Sequence, residues 1–251
     1  MTEIPSVDSL IAEQRAKKKA AKLKQIKRFL LSFGVVLALG LSIYLFIQTD
    51  FFNVKRVEVS GNQVLKTDYL QNLLWSNVHD KTGLTSGIEL SKEIEHEKLI
   101  DSYKIEYPHF NEIMVLVKEH RVLAHLMDQR LLLLENSKVV EFDENIMLYP
   151  VGVPLIFGYE DEIAYERLSN ALLALTAENL ILVSEIKRDA KSYDVYYAHL
   201  RMMDGIQVFT ALSTIHVLND YLRIRNALNP DHDCIAIDEI TAVPYSFSCA
   251  S

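Results

Sequence analysis

The run Asp231-His232-Asp233-Cys234 sets three metal-ligating side chains beside a thiol. The chemistry to test there is a bound divalent metal or an activated thiolate. Either needs groups converging from several elements, with further hydrogen bonds to orient them. Consecutive residues of an extended chain point to opposite faces instead. The run also follows Asn229-Pro230, a helix stop, so a solvated loop accounts for it. His120 and His125 lie five apart across a predicted strand end, which is not a recurrent metal spacing. His79, His96, His109, His199 and His216 are scattered. Glu93, Glu95 and Glu97 alternate along one short predicted helix, so they do not face each other as a catalytic carboxylate pair must. The chain has no G-x-S-x-G, no glycine-rich phosphate loop, no H-E-x-x-H and no paired C-x-x-C. No catalytic, cofactor or metal residue is assigned, and the expected role is non-enzymatic.

The elements that would have to position such groups read as two α+β domains with a boundary near residue 120. In VKRVEVS, Val57 and Val59 alternate with charged neighbours, as in a half-buried strand. Gly61-Asn62 marks a turn, and Thr67 or Asp68 caps a helix with Leu70, Leu73 and Leu74 on one face. Ser91 is placed as the cap of a second helix around Ile94. KIEYP reads as a short strand stopped by Pro108, and Ile113, Val115 and Val117 alternate in the next. Beyond residue 120, RLLLLENSKVVEF reads as two strands around Asn136-Ser137. A helix is predicted over Asp161 to Asn179, and VSEIKR and YDVYYAHLRM read as strands. Asp204-Gly205 is a hairpin turn. A further helix is predicted over Ser213 to Leu228, with Ile215, Leu218 and Leu222 on one face. CIAID and AVPYSF are the last strands.

Phe29 to Ile47 is a run of nineteen residues without a charge. At about 1.5 Å per residue it nearly fills a hydrocarbon core of roughly 30 Å. Eight Lys and Arg residues between Arg15 and Arg28 precede it, and residues of that kind beside a span stay cytoplasmic. The expected arrangement is a cytoplasmic tail (1–28), a transmembrane helix (29–47) and an extracytoplasmic body. The run is longer than a signal-peptide core, and the QTDFFNV after it offers no small-x-small cleavage site. Three acids offset the eight bases, leaving the tail at +5; the whole chain is −8, so the remainder carries −13. An acidic body of that size argues against nucleic-acid binding. Cys234 and Cys249 lie in the body, where a disulfide is permitted, but so sparse a use of cysteine favours two free thiols. Gly34, Ala38 and Ser42 recur every fourth residue, a stripe on which a second membrane helix can pack closely, although such residues are also common filler in membrane helices.

After the span, Phe52-x-Val54-x-x-Val57-x-Val59-x-Gly61-Asn62 resembles the start of the POTRA domain in the FtsQ/DivIB cell-division proteins. Tyr107-Pro108 and Val115-x-Val117-x-Glu119 agree with it. Pro154 through Gly158, Ser184-Glu185-Ile186, Asp204-Gly205 and Ile237-Asp238 follow in the order of that family's second domain. Many members carry a basic residue where this chain has Ile240.

The resemblance implies an α+β fold: one transmembrane helix, a POTRA-type β-α-α-β-β domain (51–120) and a second, mixed antiparallel β-rich domain with two helices (121–251). It implies a bitopic scaffold at the division septum, without cofactor or small-molecule substrate. Its partners would be FtsL-like and DivIC/FtsB-like single-span coiled-coil proteins. The resemblance points to Ile237–Phe247 as the partner edge, with Ile237, Thr241, Val243, Tyr245 and Phe247 as contacts. Tyr245 and Phe247 lie two apart and share a face. That face either meets a partner or packs into the core. The alternative function is a membrane-anchored POTRA module in protein export or envelope assembly.

Overall fold

The computed structural model describes residues 7–47, 53–78, 83–109 and 111–249. Phe52 of the family motif and His79 lie outside the described residues. Helix α1 (Val7–Ile47) joins the basic segment and the apolar run in one continuous helix of 41 residues. Its stretch Lys27–Phe46 is long and apolar enough to cross a membrane, and none of that stretch is buried against protein.

A three-stranded sheet follows, built from β1 (Arg56–Ser60), β2 (Ile100–His109) and β3 (Glu112–Glu119). Its order is β1-β3-β2, with β1 parallel and β2 antiparallel to the central β3. Helices α2 (Thr67–Val78) and α3 (Gly83–His96) lie between β1 and β2 in the chain. Val57, Val59, Ile113, Val115 and Val117 bury one sheet face with Leu70, Leu74, Val78, Leu90 and Ile94. The period-two and period-four patterns therefore meet in one core.

Two expectations are corrected in this region. Ser91 is not a cap: α3 begins at Gly83, and the Ser91 hydroxyl donates back to the Gly87 carbonyl within the helix. Pro108 does not stop β2, which runs through it to His109. An outer strand tolerates a missing N–H, and the register shifts between Glu106 and His109.

The motif residues Gly61, Asn62 and Glu119 tie this unit together. Gly61 has φ +93°, and a Cβ there would collide with the Val117 carbonyl, so only glycine fits. The Glu119 carboxylate accepts the N–H groups of Gln63, Val64 and Leu65 at 2.7–3.0 Å. The Asn62 amide donates to the Leu65 carbonyl and to Thr67 Oγ1. Three backbone donors of the β1–α2 loop are thereby satisfied by one side chain, 54 to 56 residues away.

The second sheet has nine strands: β4 (Val122–Leu126), β5 (Leu131–Leu134), β6 (Val139–Glu141), β7 (Leu155–Phe157), β8 (Val183–Arg188), β9 (Ala198–Met202), β10 (Gln207–Thr210), β11 (Cys234–Ile237) and β12 (Pro244–Phe247). Their spatial order is β12-β11-β10-β9-β8-β7-β4-β5-β6. Parallel pairs β4–β7, β7–β8 and β10–β11 interrupt the antiparallel ones. The predicted helix over Asp161 to Asn179 is two helices, α4 (Glu162–Leu173) and α5 (Ala177–Leu180), because Thr176 caps a new start at Asn179 N–H. The strand predicted over YDVYYAHLRM begins only at Ala198.

The helix predicted over Ser213 to Leu228 is also corrected. It is a 3-10 helix (Leu212–Asp220) followed by α6 (Tyr221–Ala227). Leu222 is exposed, and the buried row is Leu212, Ile215, Leu218, Tyr221 and Ile224. That row repeats every third residue, which matches a helix of 3.0 residues per turn. These side chains cover the sheet together with Leu168 and Leu172 of α4. At the other end of the sheet, Val122, Leu132, Leu134 and Met147 pack into the hydrophobic cluster of the three-stranded unit. The bridge Leu65–Met147 and the bonds Lys66 N–H to Ile146 O and Leu148 N–H to Val64 O connect the same two regions.

A fastened C-terminal edge as candidate functional site

Strand β12 is the outermost strand of the nine-stranded sheet and pairs antiparallel with β11. The register sets Phe247 opposite Cys234, Tyr245 opposite Ala236, Ser246 opposite Ile235 and Pro244 opposite Ile237. Since alternate residues share a face, Ile235 and Ile237 belong with the helix-covered core, where both are 2% exposed. Tyr245 and Phe247 therefore stand on the opposite, helix-free face.

On that face the aromatic rings of three strands, β9, β10 and β12, form a row. His199 stacks on Phe209 at 4.5 Å. Phe209 lies 6.0 Å from Phe247, and Phe247 lies 6.2 Å from Tyr245. Ala236, between them on β11, leaves room for the larger rings. Tyr245 is 55% exposed and Val243 57%. Burial pushes the nearby Tyr197 hydroxyl up to about 12, with Tyr193 and Tyr245 adding to the effect.

Three separate contacts hold this outer strand. Cys234 and Cys249 are joined in a disulfide with Cα atoms 5.6 Å apart, which corrects the expectation of two free thiols. The Asp233 carboxylate accepts the Cys249 N–H at 2.7 Å. His232 Nδ1 bonds Ser246 Oγ at 2.8 Å. The run singled out for metal or thiolate chemistry is thus a set of clasps across residues 232–249. Asp233, Cys234 and Cys249 do come together, but the paired sulfurs are not thiolate ligands. Only the pairing partner, fifteen residues on, shows this, and a short run read by itself does not contain it.

The turn before β12 is equally ordered. Asp238 accepts from the N–H of Ile240, and from the N–H and hydroxyl of Thr241. The Thr241 N–H, foremost, holds the Asp238 carboxyl below the usual carboxylate range. Ala242 takes φ +56° to turn the chain into the strand.

Of the residues expected to meet a partner, Thr241, Val243, Tyr245 and Phe247 lie on the turn and the outer strand. Ile237 lies in the core, so its side chain is not at the surface. Gly34, Ala38 and Ser42 remain together on one uncovered stripe of α1, with nothing within 4 Å of a Cβ built at Gly34.

Several of the other titratable candidates meet local partners. Glu95 accepts from the Tyr103 hydroxyl and Glu97 from the Tyr69 hydroxyl. His120 sits 3.8 Å from Asp101 and 3.7 Å from Glu135. His125 is buried between Phe142 and Tyr149, and this burial lowers its pKa.

No family model matches the chain. The DivIB cell division protein of Erysipelothrix rhusiopathiae is 24% identical over 238 residues, covering 93% of this chain and 88% of its own. That of Staphylococcus pseudintermedius is 27% identical over 234 residues, covering 91% of this chain and 77% of its own. The chain is a homologue of the cell-division protein DivIB. With its apolar N-terminal helix, it is a single-pass membrane protein of cell division. A solved structure, the major extracytoplasmic domain of DivIB from Geobacillus stearothermophilus, is 24% identical and covers 45% of this chain and 98% of its own, with a TM-score of 0.37.

Proposed function

We propose that the chain is a non-enzymatic, single-span scaffold of the division machinery whose β12 edge receives a segment of a coiled-coil partner. The observation that supports this reading is the outermost position of β12, with Val243 and Tyr245 exposed beside it. An outer strand carries unpaired N–H and C=O groups along one side, which an incoming strand can pair, while alternate side chains give specificity. Pro244 has no N–H and faces Ile237 in the register, so it limits such pairing at the start of the strand. The aromatic row gives the partner an apolar surface beside the edge.

In this reading the basic tail is cytoplasmic, residues 51–120 form a POTRA-type module and residues 121–251 a second domain at the septum. FtsL-like and DivIC/FtsB-like single-span proteins are the partners. Co-purification of the full-length chain with them is the test. Tyr245→Glu should weaken capture about 30-fold or more, the scale of an interfacial aromatic worth about 2 kcal/mol. Undiminished capture would remove β12 as the contact. A second contact is proposed along Gly34, Ala38 and Ser42. Gly34→Leu with Ala38→Leu should lower partner association measured within bilayers, and an unchanged signal would exclude that stripe.

A further inference from the structure

Among the described residues between 53 and 119, three large apolar side chains are exposed: Trp75 at 39%, Ile88 at 66% and Tyr107 at 47%. The topology sets all three at one end of the unit. Strand β1 runs away from the point of chain entry, and α2 returns, so Trp75 lies in its last turn near that entry. Helix α3 starts there, with Ile88 in its second turn. Strand β2 returns again, and Tyr107 lies near its end. The Lys55 N–H donates to the Asn111 carbonyl at 2.8 Å, which pins the β2–β3 turn to the entering chain. Tyr107 also reaches α3, since a Cβ at Gly87, next to Ile88, would collide with its hydroxyl.

The span identifies what faces this end. Helix α1 ends at Ile47, and Asn53 is six residues further on. Six residues reach at most about 22 Å even when fully extended. A tether that short holds the unit at an effective concentration in the millimolar range beside the bilayer, so a weak contact suffices. Trp and Tyr are the residues whose rings settle at the membrane–water interface, with an apolar body and a polar tip. Among the described residues at this end, Arg56 pairs with Glu58, Lys104 with Glu106 and His109 with Glu112, and Lys55 is exposed.

We propose that the chain-entry end of the three-stranded unit rests in the polar interface of the bilayer that holds α1, through Trp75, Ile88 and Tyr107. This contact fixes the height of the unit above the membrane and does not depend on any partner.

Trp75 is the single tryptophan of the chain, so it reports directly. The full-length chain is placed in phosphatidylcholine vesicles containing lipid with a nitroxide on the headgroup. Strong quenching of Trp75 is expected, and weaker quenching when the nitroxide is at the acyl-chain end. Ile88→Asp, at a surface position on which folding does not depend, should reduce the headgroup quenching about twofold or more. Its emission in label-free vesicles serves as the check on its fold. Absence of headgroup quenching in the wild-type chain overturns the proposal. Equal quenching in wild type and a folded Ile88→Asp chain also overturns it, because tethering alone would then explain the proximity.

Discussion

Replacing Cys249 by Ser tests whether the outer strand is held chiefly by its disulfide. The bridge joins residues 15 apart, and a loop of about that length contributes about 3 kcal/mol by restricting the open chain. Two hydrogen bonds remain, from His232 to Ser246 and from the Cys249 N–H to Asp233, each worth about 1 kcal/mol net. Cys234 stays buried as a small apolar side chain. The free energy for opening β12 should therefore fall by about 3 kcal/mol while the helix-covered core keeps its own. At roughly a factor of ten per 1.4 kcal/mol, the open population rises about a hundred-fold. Hydrogen–deuterium exchange of the full-length chain, resolved by peptide, measures this directly. Amides of β12 and their partners on β11 should exchange about a hundred times faster, with β7 to β9 unchanged. A reducing agent should do the same to the wild type. Unchanged protection of β12 in Cys249→Ser would show that hydrogen bonding alone holds the edge and would refute the reasoning.

Glu119→Ala removes the acceptor for three loop N–H groups and should destabilise the chain by about 3 kcal/mol in urea unfolding. Glu119→Gln, which keeps one acceptor oxygen and can place it on either side of the loop, should lose less than Glu119→Ala, and equal losses would argue against the hydrogen bonds as the cause. Tyr221 donates to both oxygens of Asp204 at 2.7 and 2.8 Å. Burial first, and then that carboxylate, raises its pKa, so the folded state favours the neutral phenol. The resulting stability is fully present below the ordinary tyrosine value of about 10 and is lost as pH rises through the folded value. Tyr221→Phe should cost about 1–2 kcal/mol at neutral pH. It should also flatten the loss of stability above pH about 10, and an alkaline profile parallel to wild type would count against the assignment.

Much of the first sheet was legible because its signals are local. Val57 and Val59, or Ile113, Val115 and Val117, alternate within a few residues and need no partner to be read. Pro108 misled because a proline stops a central strand but not an outer one, and sheet order is not written in KIEYP. The period of three from Leu212 to Ile224 is present in the sequence, yet a 3-10 helix of nine residues is rare enough that an α-helix was the natural reading. The clasps around β12 were less legible. Asp231-His232-Asp233-Cys234 has metal-ligand composition, and only the approach of Ser246 and Cys249 reveals what those side chains do.

The sequence by itself determined the anchor, the acidic body, the motif after the span and the alternation of the first sheet. Each depends on composition or on neighbours within one turn or one pleat, where the physics is short in range. Tertiary structure decided which strand is outermost, which face Tyr245 and Phe247 take, and that the two cysteines pair. It also decided that Glu119 closes a loop more than fifty residues away. Those outcomes depend on which distant segments meet, and that is set by the burial of the whole core and the pairing of its backbone, not by any one stretch of chain.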